Sequence, residues 1–205
     1  MKTIGKGILK KRFYEEIDEE PVSFEEDFEK LRRGMLELYN VANNSQKNED
    51  LFYDVYKAIN DRAVEGNLAA QDYLGYLYKT GLGDLVPANY CLSMDWMFMA
   101  GSNGNEYTLS RLKIFFTRSM GEIFDMDNYR EVLNANDIYD ENYEFELGKL
   151  LCDAMVDTLG IKMEELVARK PVFQPSTIAL AQKYEQARIV ATKSVIEYLK
   201  KSASL

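Results

Sequence analysis

The chain has 205 residues, 46% hydrophobic and 12% aromatic, enough apolar material for a packed core and too much for wholesale disorder. It contains no histidine, which removes the commonest general base and every Ser-His or Cys-His pair; with only two cysteines it also excludes a zinc site built from Cys and His. The net charge of −9 is uneven: residues 161–205 carry +4, so the rest carries −13 and would repel a phosphate backbone, and no direct nucleic-acid binding is expected.

Residues 1–22 read as an arm, with five positive charges in 1–12 followed by the start of a run of nine acids over 15–29. The arm lacks the apolar stretch of a signal peptide, and no run in the chain approaches the ~18 apolar residues of a membrane span, so a cytoplasmic protein without membrane contact is expected. Pro21-Val-Ser23-Phe-Glu-Glu26 is a capping box, in which Ser23 and Glu26 satisfy backbone donors that a helix start leaves open. The helix that follows has Phe24, Phe28, Leu31, Met35, Leu38 and Ala42 on one face, until residues 43–48 break the pattern. A second helix is predicted from Asp50 through Phe52, Tyr56, Ile59 and Ala63 to Gly66.

A third helix is predicted over 68–80, stopped by Gly81 and Gly83, and a fourth over 89–100, ended by Gly101 and Gly104. A fifth spans 105–118 before Gly121, followed by a short helix near 126–135 and a longer one near 140–158 that ends at Gly160. Residues 168–176, "ARKPVFQPS", form a two-proline hinge, and a closing helix over 176–201 has Leu180, Tyr184, Ala187, Ala191, Val195 and Tyr198 on one face. No strand-like alternation occurs, so the fold class is all-α. Cys91 and Cys152 lie in apolar-periodic segments and read as buried thiols.

Two chemical motifs fail on context. Gly81-x-Gly83 follows a helix, lacks a third glycine and has no Lys-Ser/Thr after it, so it is no phosphate loop. The acidic run from Asp137 to Glu146 lacks the spacing of a calcium loop and reads as a solvated helix start, where carboxylates favour the helix dipole. No cofactor, metal or catalytic residue is expected.

The chain repeats itself. Leu38-Tyr39, Leu74-Gly75, Leu112-Lys113 and Leu147-Gly148 recur at intervals of 35–38 residues, preceded four positions earlier by Gly34, Ala70, Thr108 and Tyr143. Ala63-x-x-Gly66 returns as Gly101-x-x-Gly104. Ala63, Gly66, Ala70, Leu74, Gly75, Tyr78, Gly81 and Gly83, then Trp96, Ala100 and Gly104 after a two-residue insertion, resemble the Sel-one-like repeat, a solenoid relative of the tetratricopeptide repeat. The match covers 63–104; the flanking units are degenerate and the tail after 160 does not match. The resemblance implies a short right-handed α-α superhelix over 23–160, closed by the hinge and long helix of 161–205.

It also implies that the first helix of each pair lines a concave surface. The outward positions are then Arg33 and Asn40; Asp72, Tyr76, Lys79 and Thr80; Tyr107, Ser110, Ile114, Thr117 and Arg118; and Asn142 and Lys149. Aromatic residues among scattered charges suit protein recognition. The expected function is a non-enzymatic adaptor that binds a protein or peptide partner. The alternative is an acidic inhibitor or immunity-type protein whose acidic body mimics nucleic acid or blocks a toxic enzyme.

Overall fold

A computed structural model describes residues 24–42, 46–126, 131 and 143–202. The arm of 1–22, the capping residue Ser23, nearly all of the short helix expected near 126–135, and Asn142 lie outside the described residues. Among those described, eight helices form and no strand does, so the protein is all-α; none of these helices is long and apolar enough to cross a membrane. The contacts divide the chain into two compact units, Met1–Ala70 and Gln71–Leu205, so the division falls inside the 63–104 stretch that resembles a repeat.

In the first unit, helix α1 (Phe24–Ala42) packs against α2 (Gln46–Val64). The apolar steps of three and four residues become the contact: Phe28, Leu31, Met35 and Leu38 are buried on α1, and Phe52, Val55, Ile59 and Ala63 on α2. Helix α2 begins at Gln46, four residues before the expected start; Gln46 and Lys47 are good helix formers and no Gly or Pro stands between them and Asp50. Its end is a double hydrogen bond around Gly66, which has φ +95°: Gly66 N–H donates to Ala63 O at 3.2 Å and Asn67 N–H to Arg62 O at 3.0 Å. Asn67 then caps α3 (Leu68–Thr80), its Oδ1 accepting from Ala70 N–H at 2.8 Å.

The second unit repeats that device. Helix α4 (Tyr90–Ser102) ends at Gly104, φ +86°, with Gly104 N–H on Gly101 O and Asn105 N–H on Ala100 O. Asn105 caps α5 (Glu106–Phe124) through Thr108 N–H at 2.8 Å. The same Gly-Asn pair thus turns the chain twice, 38 residues apart. Helix α5 runs on past its expected end at 118, because Gly121 keeps a helical φ and costs only about 1 kcal/mol of propensity.

Helix α4 is the hub of the second unit, buried on most of its circumference and packed against α5, α6 (Tyr143–Leu159) and the short α7 (Met163–Ala168). Two glycines permit the approaches. A Cβ on Gly75 of α3 would lie 2.9 Å from Met97 Cγ, and one on Gly101 would lie 2.5 Å from Cys152 Sγ of α6. Ser93 Oγ donates to Gly75 O at 2.8 Å across the first of these contacts. Cys91 and Cys152 are both free; Cys152 is buried as expected, whereas Cys91 is only half-buried.

The proline segment is a pinned strap. Gln174 exchanges backbone hydrogen bonds with Ala88 O and Tyr90 N–H at 2.9 and 2.8 Å. Asn89, whose Oδ1 caps α4 through Leu92 N–H, donates its Nδ2 to Val172 O at 2.7 Å. The closing helix α8 (Ile178–Ser202) then lies on α6 and α5, burying Tyr184, Ala187, Ala191, Val195 and Leu199. Tyr198, expected on this face, is exposed, and Leu199 takes its place. Arg188, 2% exposed, is held by both oxygens of Glu185 and by Ser119 Oγ of α5.

Candidate functional site

The outward faces of α3 and α5 carry most of the residues singled out from the repeat. On α3, Tyr76 is 50% exposed, and Lys79 and Thr80 are exposed. On α5, Tyr107 is 70% and Ile114 87% exposed, with Ser110, Thr117 and Arg118 exposed between and beyond them. Steps of three and four residues keep Tyr107, Ser110, Ile114 and Thr117 on one side of the helix while Leu109, Leu112 and Phe116 go to the core. Arg118 leans along the helix to Glu122 at 3.3 Å.

Asp72 has a different place. Its carboxylate accepts from Thr108 Oγ1 and forms an ion pair with Arg111, tying α3 to α5. Arg111 in turn lies 5.1 Å from the centroid of the Tyr107 ring, and partial burial lowers its pKa from the ordinary arginine value. An exposed aromatic ring is therefore propped by a cation, and the cation is neutralised by an anion beneath the surface. Sequence reasoning singled out Asp72 and Tyr107 but not Arg111, which sits beside the Leu112 anchor.

Beside this face a cleft of about 370 Å³ opens between α5 and α6, lined by Glu106, Leu109, Ser110, Lys113 and Met120 on one side and by Tyr143, Glu144, Phe145 and Gly148 on the other. Ser110 belongs to both the outward face and the cleft. Lys113 Nζ meets Glu144 Oε2 at 2.5 Å, and that bond raises the pKa of the lysine. The Tyr143 ring is steadied edge-on by Phe124, 5.3 Å between centroids. Of these residues the sequence marks only Ser110 as a binding position; Lys113, Tyr143 and Gly148 figure there in the repeat pattern, and Glu144 in a solvated helix start.

Lys149 is half-buried on α6. Arg33 and Asn40 are exposed on α1 in the first unit, where Arg33 lies 3.9 Å from Glu29. Among the described residues no three Cys, Asp or Glu side chains converge to hold a metal ion.

No known protein family, curated protein or solved structure matches the chain. The resemblance to Sel-one-like repeats therefore rests on the residues of 63–104 themselves.

Proposed function

We propose that the chain is a non-enzymatic helical-repeat interaction module of the Sel-one-like, tetratricopeptide-like kind, which binds a protein or peptide on the outward faces of α3 and α5. The observation that carries this reading is the run of large apolar side chains left in water on a scaffolded face: Tyr76, Tyr107 and Ile114 are 50%, 70% and 87% exposed. Tyr107 in particular is held by Arg111, so part of the ordering that binding requires is already in place. Two features support the repeat. The anchors Leu38, Leu74, Leu112 and Leu147 are all buried, and the Gly-Asn turn recurs at Gly66 and Gly104.

The test is affinity capture with the full chain and with a Tyr107→Ala/Ile114→Asp variant whose unfolding temperature is unchanged. Loss of a specific partner on the variant supports the reading. Equal capture by both proteins overturns it.

A further inference from the structure

The cleft between α5 and α6 differs from the other close helix contacts of its unit. Gly75 and Gly101 stand where an added Cβ would collide, at 2.9 Å from Met97 Cγ and 2.5 Å from Cys152 Sγ. Gly148 lies mid-helix on α6 at the cleft, and a Cβ there would make only ordinary contacts, 3.4 Å to Leu109 Cδ2 and 3.8 Å to Met120 Cε. Packing does not demand a glycine at this position, and helix propensity disfavours one. The missing side chain leaves space above an apolar floor of Leu109 and Met120, walled by Tyr143 and Phe145. A volume of about 370 Å³ is within the range that ligand and anchor-residue pockets occupy.

The charges at the rim give the occupant a sign. Lys113 is neutralised by Glu144 at 2.5 Å, and the arginines on the adjoining face are taken up by Asp72 and Glu122. Glu106, exposed in the first turn of α5, has no ion pair among the described residues, so the lining carries one uncompensated negative charge. An acidic peptide or a phosphate would meet the unpaired charge of Glu106; a lysine or arginine would complement it.

We propose that this cleft is the anchor pocket of the binding face, taking one aromatic or leucine-sized side chain from a partner polypeptide whose neighbouring residues are Lys or Arg. The inference rests on the reading of the chain as a protein-binding module and names the chemistry of what it binds. The anchor side chain fills the space over Leu109, Met120 and Gly148, and the flanking cation sits at Glu106.

Met120 provides the readout, because its methyl borders the cleft. The full chain is labelled with ¹³C-methyl methionine, the Met120 signal is assigned with Met120→Leu, and the protein is titrated with the capped pentapeptide Lys-Lys-Phe-Lys-Gly. The controls are the same peptide with Ala for Phe and with Glu for each Lys. The Met120 signal shifts saturably with the first peptide, and at least about tenfold more weakly with either control. Gly148→Leu, which fills the cleft, removes the response, as does Ser110→Trp on the exposed lip should the first variant fail to fold. Glu106→Gln weakens binding roughly two- to fivefold at low salt. An unmoved Met120 signal at millimolar peptide, equal response to the Lys and Glu peptides, or full response in a folded cleft-filled variant overturns the proposal. The wider reading fails separately, when partner capture does not depend on Tyr107 and Ile114.

Discussion

The hydroxyl of Tyr184 on α8 donates to Oδ1 of Asp95 on α4 at 2.8 Å, deep inside the second unit. Arg169, at the end of α7, donates to Oδ2 of the same carboxylate, also at 2.8 Å. One buried anion thereby holds the last helix and the start of the strap to the hub. Burial, and then the charge of Asp95, raises the pKa of Tyr184 above the ordinary 10.0.

The sign of the pH dependence follows. The unfolded chain releases the Tyr184 proton near pH 10 while the folded protein keeps it, so this contribution to stability is fully present below about pH 10 and declines as pH rises above it. Urea unfolding of Tyr184→Phe is expected to show a loss of about 1–3 kcal/mol at neutral pH and a shallower fall above pH 10 than the natural chain. Parallel slopes for the two proteins would contradict the assignment.

Glycine substitutions should divide by sign. Gly101→Ala places a Cβ against Cys152 Sγ and is expected to destabilise by about 1–3 kcal/mol in spite of better helix propensity. Gly121→Ala has nothing within 4 Å of the new Cβ and should stabilise by up to about 1 kcal/mol. In the double variant Gly101→Ala/Cys152→Ala, removal of the sulfur should recover part of the loss, measured as a double-mutant cycle in urea.

Asp72 and Ile114 should separate structure from recognition. Asp72→Ala leaves the half-buried Arg111 without its anion, and a loss of about 1–3 kcal/mol is expected in thermal or urea unfolding. Ile114→Asp lies on water at 87% exposure and should leave stability within about 0.5 kcal/mol while weakening partner capture. A destabilised Ile114→Asp would mean that the residue is covered in solution.

Arg188 bears on the acid side. Its bond to Glu185 holds that carboxylate below the ordinary 4.5, so the stabilisation is present above about pH 4.5 and is lost as pH falls through the folded value. Because Glu185 is partly exposed, the acid effect is small. The larger expectation for Arg188→Ala is a loss of about 2–3 kcal/mol at neutral pH, since Ser119 keeps only its bond with Thr192, the link from α8 to α5 weakens and a buried volume empties.

The residues that made the fold legible were those whose effect is local. Periodic apolar positions and glycine stops placed α3 at its observed limits, and α4 and α8 within two residues of theirs. Helix α7 escaped notice because six residues are too few to show a period, and Gly121 misled because a glycine disfavours a helix without forbidding it. Of the candidate site, helix period makes legible only which side chains reach water, Tyr76, Tyr107, Ser110 and Ile114 among them; the Asp72–Arg111 pair and the α5–α6 cleft join residues about 30–40 positions apart, which no local pattern records. The Leu147-Gly148 pair repeats the letters of Leu74-Gly75, yet only Gly75 is pressed by a neighbouring helix.

Asn89 bonds at two very different chain distances. Its carboxamide oxygen caps α4 through a contact three residues away, whereas its amide nitrogen reaches Val172 across 83 residues. The first bond closes a loop of almost no entropy and can form as soon as α4 does; the second must wait for a long stretch of chain to be made and folded back. One side chain therefore joins a contact of very short loop length to one of very long loop length. Asn89→Asp, which keeps the acceptor and loses the donor, should leave α4 initiated while loosening the strap, and hydrogen exchange would show this as faster amide exchange at Tyr90 and Gln174 with the centre of α4 still protected.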